Sequence, residues 1–445
     1  MAFGRPLLRT SYAEDAAILP TWSQRGALGV AGFALALAAL GVPFFEAIPA
    51  FLLGGTWLTP FNTMLVFAVA ALGINILVGV TGQVSLGHSF FMGVGAYAAV
   101  LLGGDGRGGA ACIPFHEQLG LLENTTRCGL GLPIWIWLPA SGIAAALVGI
   151  LVSPAAVRVR GLYLAIVTVG LVFIGRHLGN MLPEYAGDAE SGRRWPPLEF
   201  RWWRRTDDSG DAFITFDEKG AWFSWIPGTD GITLSDDQKA FFFYLFVVIV
   251  ATVLAKNLMR SRTGRALQAI RDRDVAAEVM GVPEREYKRL GFALSSAYAG
   301  VGGALLAVNL ARVGPPEWSL FLAVDFIAIL LIGGAGTIAG TLMGTFFVRL
   351  LPKMVERFTE KNADLAEGDG PVSTIASLLL TDGSRSDFGP IATSAQATGW
   401  PLPVALWNFV IFGVLIVVFL IAEPLGLFGI WLRIRNYWKG WPFSY

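Results

Sequence analysis

Lys256-Asn257-Leu258-Met259-Arg260-Ser261-Arg262-Thr263-Gly264-Arg265-Ala266-Leu267-Gln268-Ala269-Ile270-Arg271-Asp272-Arg273-Asp274-Val275-Ala276-Ala277-Glu278-Val279-Met280-Gly281-Val282-Pro283, running on to Lys288 and Arg289, is a charged island in an otherwise apolar chain. It carries nine Lys or Arg side chains between two hydrophobic segments, so it must sit in water. An excess of positive charge in a short loop places that water on the cytoplasmic side of a membrane. The stretch is also rich in Ala, Leu, Gln, Glu and Arg, which predicts a short helix closed by Gly281 and Pro283. A helix presented to water by a membrane bundle is the kind of element a soluble partner grips.

Outward from this island the chain is 54% hydrophobic and 15% charged, with a mean hydropathy of +0.58. Those values exclude an ordinary soluble domain. The formal net charge is zero, so no basic field points to a nucleic-acid partner. The expected fold is an all-α integral membrane protein, a polytopic helical bundle in the lipid bilayer. The first residues mix both charges (Arg5, Arg9, Glu14, Asp15, Arg25) and hold no apolar core, so no cleavable signal peptide is expected.

Apolar windows fall at about 26–45, 60–80, 84–103, 133–152, 161–179, 239–256, 290–310, 322–352 and 404–422. Arg158 and Arg160 mark a second inside loop, and Arg433, Arg435 and Lys439 mark an inside tail. Both termini inside require an even number of crossings. The window at 322–352 is too long for one pass, and Gly333-Gly334-Ala335-Gly336-Thr337 interrupts it. Two tightly packed passes there give about ten segments, whereas one long helix would place the tail outside. Gly333, Gly334, Gly336, Gly340 and Gly344 are the expected packing glycines, the last three spaced four apart to let helix backbones approach. The organisation is then a cytoplasmic segment 1–25, a membrane domain 26–430 and a cytoplasmic tail 431–445. Loops at about 104–132, 180–238 and 353–403 face outside, and the charged loop 256–289 faces inside. Cys112 and Cys128 share one outside loop, compatible with a disulfide or with two unrelated thiols.

No nucleotide-binding phosphate loop, no paired metal-ligand spacing among His88, His116 and His177, and no hydrolase motif occurs, so neither a catalytic residue nor a metal ligand is expected. The polar residues in the apolar windows are few. Asn75, Gln83, Ser85, His88 and Thr168 either line a path for a polar solute or cap broken helices at membrane depth. Asp325, near the start of its window, reads as a helix N-cap.

Four stretches carry a resemblance: Gly79 to Tyr97, Ser261 to Gly303, Pro316 to Gly340, and Arg158 to Thr168. Together they resemble the permease subunits of branched-chain amino acid ABC importers (LivM-type). The resemblance implies a transport subunit of a bacterial inner membrane, without catalysis or cofactor of its own, that moves branched-chain or related apolar amino acids inward by alternating access. Its implied partners are a LivH-type second permease, two ATPase subunits that carry ATP and Mg, and a periplasmic substrate-binding protein. Gly264, Arg265, Ala266, Ile270, Arg271, Ala276, Ala277 and Gly281 then become the ATPase-coupling residues. The region Tyr185 to Trp195 departs from the family pattern on the outer side, which leaves the cargo open: urea or short amides in the same machinery, or a stand-alone secondary transporter, are the alternatives. The last needs buried carboxylates, and only Asp325 and the edge residue Glu423 offer them.

Overall fold

The computed structural model describes residues 22–40, 57–104, 129–159, 161–182, 235–366 and 425–440, with scattered positions between 186 and 233 and between 380 and 423. Cys112, Cys128 and Arg160, most of the three long loops and both chain ends lie outside the described residues, so the disulfide expectation does too.

The described architecture is helical. In chain order it comprises α1 (Trp22–Ala39), α2 (Leu58–Ile74) continued by a π-helix (Asn75–Val80), α3 (His88–Gly103), α4 (Ile134–Arg158), α5 (Leu162–Met181), α6 (Asp236–Arg260), α7 (Arg262–Asp272), α8 (Asp274–Val279), α9 (Glu284–Leu310), α10 (Leu320–Gly333), α11 (Ile338–Ala366) and α12 (Gly426–Gly440). The strands are pieces of two residues each in the connecting regions. Among the described residues six helical segments are long and apolar enough to cross a membrane: Leu58–Val80, Ile134–Ala155, Tyr163–Met181, Asp236–Arg260, Glu284–Leu310 and Pro315–Gly333. Helix α3, with 16 residues, is a shorter apolar helix.

Helix α9 is the hub, packed against α2, α3 and α4. Its run Ser295-Ser296-Ala297-Tyr298-Ala299-Gly300-Val301-Gly302-Gly303 explains how one helix serves three neighbours. Lipid offers no hydrophobic drive between helices, so contact depends on backbones coming close enough for dispersion. A β-carbon at Gly303 would lie 2.0 Å from the Met92 carbonyl oxygen, and one at Gly302 would lie 2.7 Å from Ala70 Cβ. From the opposite side, a β-carbon at Gly149 would meet Ser296 Oγ at 2.3 Å. Helix α6 starts cleanly because Ser235 and Gln238 form a reciprocal capping box above Asp236 and Asp237.

The long window at 322–352 is two helices. α10 ends at Gly333, the chain turns through Gly334 (φ +111°) and Gly336 (φ +82°), and α11 runs back alongside. Gly333 faces Gly340 and Gly344, Ile329 faces Gly344, and Asp325 faces Arg349, which is an antiparallel hairpin. The break into two helices inferred from the glycine run is present, although among the described residues only the first of them is long and apolar enough to cross a membrane. Leu425 and Gly426, leading into α12, pack on the turn itself. Asp325 is not a cap. Ser319 caps α10 by accepting from Leu322 N–H, and the apolar span begins at Pro315, so Asp325 lies well inside it.

Gly344→Leu should wedge the hairpin open, because a β-carbon there would sit 2.3 Å from the Ile329 carbonyl oxygen. The expected loss is about 1–3 kcal/mol, as for overpacked cores, read as a lowered apparent melting temperature in mild detergent. An unchanged melting temperature would refute the close glycine contact.

Candidate functional site

The island's helix divides into α7 and α8, with Arg273 in extended conformation between them, where one continuous helix was expected. Ser261 makes the preceding corner. Its hydroxyl donates to the Leu258 carbonyl at 2.7 Å and accepts from Gly264 N–H at 3.2 Å. Gly264 is required there, because a β-carbon would lie 2.1 Å from the Leu258 carbonyl oxygen. Leu267, Ile270 and Ala277 face inward and are buried, and Ala266 is half-buried. Arg265, Arg271, Ala276 and Gly281 are exposed, and Gly281 takes φ +85° to end the elbow.

Arg271 ties this elbow to the bundle. Its Nη1 donates to the Gly79 carbonyl in the π-helix. A π-turn widens the backbone spiral and leaves a carbonyl available to an outside donor. Gly336, at the tip of the α10–α11 hairpin, lies against the same guanidinium: a β-carbon there would be 2.8 Å from Arg271 Nη1. The Gly336 N–H in turn donates to Asn75 Oδ1 at 2.8 Å. One arginine and one asparagine therefore join the π-helix to two elements that lie 192 and 261 residues further along the chain. Close by, Lys288 pairs with Glu284, and Gln83 Nε2 reaches the Lys288 carbonyl at 3.5 Å.

Beyond the anchor, the elbow presents an apolar face to solvent. Val275, Val279 and Met280 are 66%, 82% and 84% exposed. Val275 and Val279 are one helical turn apart and lie on one side of α8, while Ala277 packs inward on the other. Sequence reasoning missed these three, although apolar residues four apart inside a charged island are a readable signal. Beside them lies a charged cleft of about 640 Å³ between the ends of α4 and α9, lined by Arg158, Glu278, Glu284, Arg285, Glu286 and Arg289 among others. An apolar knob next to a charged notch is suited to holding a folded partner.

The five candidate path residues are all buried and engaged with the chain itself. Asn75 holds Gly336, as above. Gln83 Nε2 donates to Thr81 Oγ1 at 3.1 Å, and its Oε1 is buried without a partner among the described residues. Ser85 Oγ accepts from Gly87 N–H at 3.2 Å, and Thr168 Oγ1 accepts from Leu86 N–H at 2.9 Å. His88 Nε2 lies 2.8 Å from the Ala70 carbonyl. A carbonyl only accepts, so Nε2 carries the proton. Ser85 and Thr168 satisfy backbone N–H groups of the non-helical segment Thr81–Gly87 at membrane depth, where bare backbone is costly. Gln83 ties down the Thr81 hydroxyl, and His88 ties the start of α3 to α2. No group of three or more potential metal ligands occurs among the described residues.

A polytopic helical membrane protein, with glycine-broken passes and an anchored elbow at its charged end, is the class that this fold and site define. The chain belongs to the family described as "Branched-chain amino acid transport system / permease component", which matches residues 57–420. Among curated relatives it is similar to the high-affinity branched-chain amino acid transport system permease protein LivM of Escherichia coli (strain K12), 27% identical over 300 residues, which covers 66% of this chain and 63% of that protein. LivM of Salmonella typhimurium is 27% identical over 305 residues with the same coverages. The autoinducer 2 import system permease protein LsrC of Klebsiella pneumoniae is 30% identical over 144 residues, covering 30% of this chain and 42% of that one. The chain thus spans slightly under two thirds of the length of the LivM relatives. No solved structure matches it.

Asn75→Ala should free the Gly336 N–H and cost about 1–3 kcal/mol, the range for orphaning a buried polar group. The check is the apparent melting temperature together with protease nicking near residue 336. If neither changes, Asn75 does not hold the hairpin.

Proposed function

We propose that this chain is the membrane-spanning permease subunit of a bacterial inner-membrane ABC importer that moves branched-chain or related apolar amino acids into the cytoplasm. The partners on this reading are a second permease of LivH type, two ATPase subunits that bind ATP and Mg, and a periplasmic binding protein. The observation that carries it is the elbow. Its exposed face (Val275, Val279, Met280) offers a soluble ATPase an apolar grip, and Arg271 bolts the elbow to the π-helix and lies against the hairpin tip. A push on α8 would then reach α2 and the α10–α11 hairpin as a rigid-body displacement, the kind of motion that alternates access. This reading puts the elbow, the Gly334–Thr337 turn and the start of α12 on the cytoplasmic side.

Cargo is the less constrained part. The relatives that match include permeases named for branched-chain amino acids and one named for autoinducer 2, so the shared membrane fold is compatible with more than one small solute. No observation favours urea, short amides or ion-coupled transport over amino acids.

The test is co-purification of this chain in mild detergent with ATPase subunits from its own cells. Wild type should retain them. Val279→Asp with Met280→Asp should lose them while keeping the wild-type melting temperature, because both side chains already lie in water. Arg271→Gln should retain the ATPases but uncouple hydrolysis from uptake. A charge-assisted hydrogen bond of about 1.5–3 kcal/mol corresponds to a loss of about tenfold or more in uptake per ATP. Capture of no ATPase by wild type would overturn the importer reading, and full coupling in Arg271→Gln would overturn the anchor.

A further inference from the structure

Two charges sit in the middle of the membrane-spanning region and have no role in the elbow. Arg349 Nη2 donates to Asp325 Oδ2 at 3.2 Å across the α10–α11 hairpin. Depth follows from the spans. Asp325 is one residue from the midpoint of Pro315–Gly333. The Arg349 guanidinium lies 3.4 Å above the ring of Phe67, itself two residues, or about 3 Å, from the midpoint of Leu58–Val80. Behind Phe67, Phe326 stacks at 5.2 Å and 15°, and His88 meets the edge of Phe326 at 5.0 Å.

The pair is not sealed. Arg349 and Asp325 side chains remain 24% and 29% exposed. Charges at that depth are not stable against lipid tails, so their open side must face a water-filled path or another polar protein surface. The contact is also incomplete. It is a single hydrogen bond rather than the bidentate fork that an Arg–carboxylate pair can make. Arg349 Nε is buried with no acceptor, and Asp325 Oδ1 has no donor among the described residues. The pair thus keeps a cationic donor and an anionic acceptor in reserve beside an aromatic wall.

We propose that Asp325 and Arg349 form a docking station for a zwitterion on the translocation path, where Arg349 takes the α-carboxylate and Asp325 the α-ammonium of the passing amino acid. The inference rests on the amino-acid importer reading above. A zwitterion suits this site because it replaces each charge's partner with another of the same sign, leaving neither charge bare at any stage. Exposed Val324, next to Asp325 on α10, gives its aliphatic side chain an apolar surface. The resting ion pair competes with the cargo, which keeps binding weak enough for release.

The experiment uses the complete importer in proteoliposomes, supplied with liganded binding protein, and the double variant Asp325→Leu with Arg349→Met. Removing both charges together leaves no orphaned ion, so the fold should survive. L-leucine uptake should fall about tenfold or more, as expected for losing charge-assisted contacts, while ATPase activity persists. Uptake at the wild-type rate would overturn the proposal and leave the importer reading intact. The isolated full-length chain in lipid nanodiscs supplies a second readout. L-leucine should raise its melting temperature, isocaproate and isopentylamine, each with one charge, should not, and Arg349→Met should abolish the shift. Loss of the second permease from the double variant, without any leucine shift in wild type, would make the pair an interface contact and overturn the proposal. If wild-type importer moves no α-amino acid, the cargo reading fails, and the nanodisc titration alone then decides the docking site.

Discussion

Water is absent from the hydrocarbon core, and every polar group placed there must find its partner within the chain. The whole arrangement around the Thr81–Gly87 segment follows from that constraint. The chain leaves helical geometry after Val80 and resumes it at His88, and in between its backbone groups would be bare. Thr168 and Ser85 accept from the N–H groups of Leu86 and Gly87, Gln83 holds the Thr81 hydroxyl, and His88 anchors the resumed helix to Ala70. The same constraint makes the Gly79 carbonyl a demand that Arg271 meets, and the Gly336 N–H a demand that Asn75 meets. Polar side chains in the apolar windows are thus largely consumed in holding irregular backbone at depth. Asp325 and Arg349 differ because their open surface exceeds what a structural contact needs.

Glycine is the other side of the same constraint. A soluble bundle gains from burying leucine, whereas a membrane bundle gains only from closeness. Gly303 against the Met92 carbonyl and Gly344 against the Ile329 carbonyl replace side-chain interdigitation by backbone contact. Helices packed in that way shift as blocks, since any separation forfeits many weak contacts together. A rigid hub and a rigid hairpin suit transmission of a push from one end of the molecule.

Much of this was legible in the sequence. The charged island announced the elbow, and the parity of charged loops with the run Gly333 to Gly336 announced the hairpin. Serine before a helical stretch and glycine after it are local signals, and the structure uses Ser261 and Gly281 in those roles. What was not legible depends on partners distant in sequence. Nothing near Arg273 shows that the helix breaks there. Asp325 resembled a cap only because its window was drawn from 322, and Ser319 with the turn at Pro315–Glu317 moves the helix start outward. That Asn75 serves Gly336, 261 residues away, and that Arg349 sits over Phe67, are tertiary facts with no local signature. Val275, Val279 and Met280 were readable and overlooked, because charge dominates the composition around them.

The hairpin links the two sites. Its tip holds Gly336 against Arg271, and its arms carry Asp325 and Arg349 some ten residues further along. Gly333, Gly340 and Gly344 fasten the arms between tip and pair, so a displacement at the tip is conveyed along both arms rather than absorbed in side-chain rotation. Arg349 also touches Phe67 on α2, the helix whose π-helical end receives Arg271. On the proposed reading, a movement of the elbow reaches the ion pair by two routes, through the hairpin and through α2. Unequal displacement along those routes would change the distance between Arg349 and its neighbours. A single unforked hydrogen bond between Asp325 and Arg349 is the contact in this frame with the least to lose when that happens. On that reading, the weakness of the pair is what would let a movement of the elbow reach the proposed docking site in the middle of the membrane.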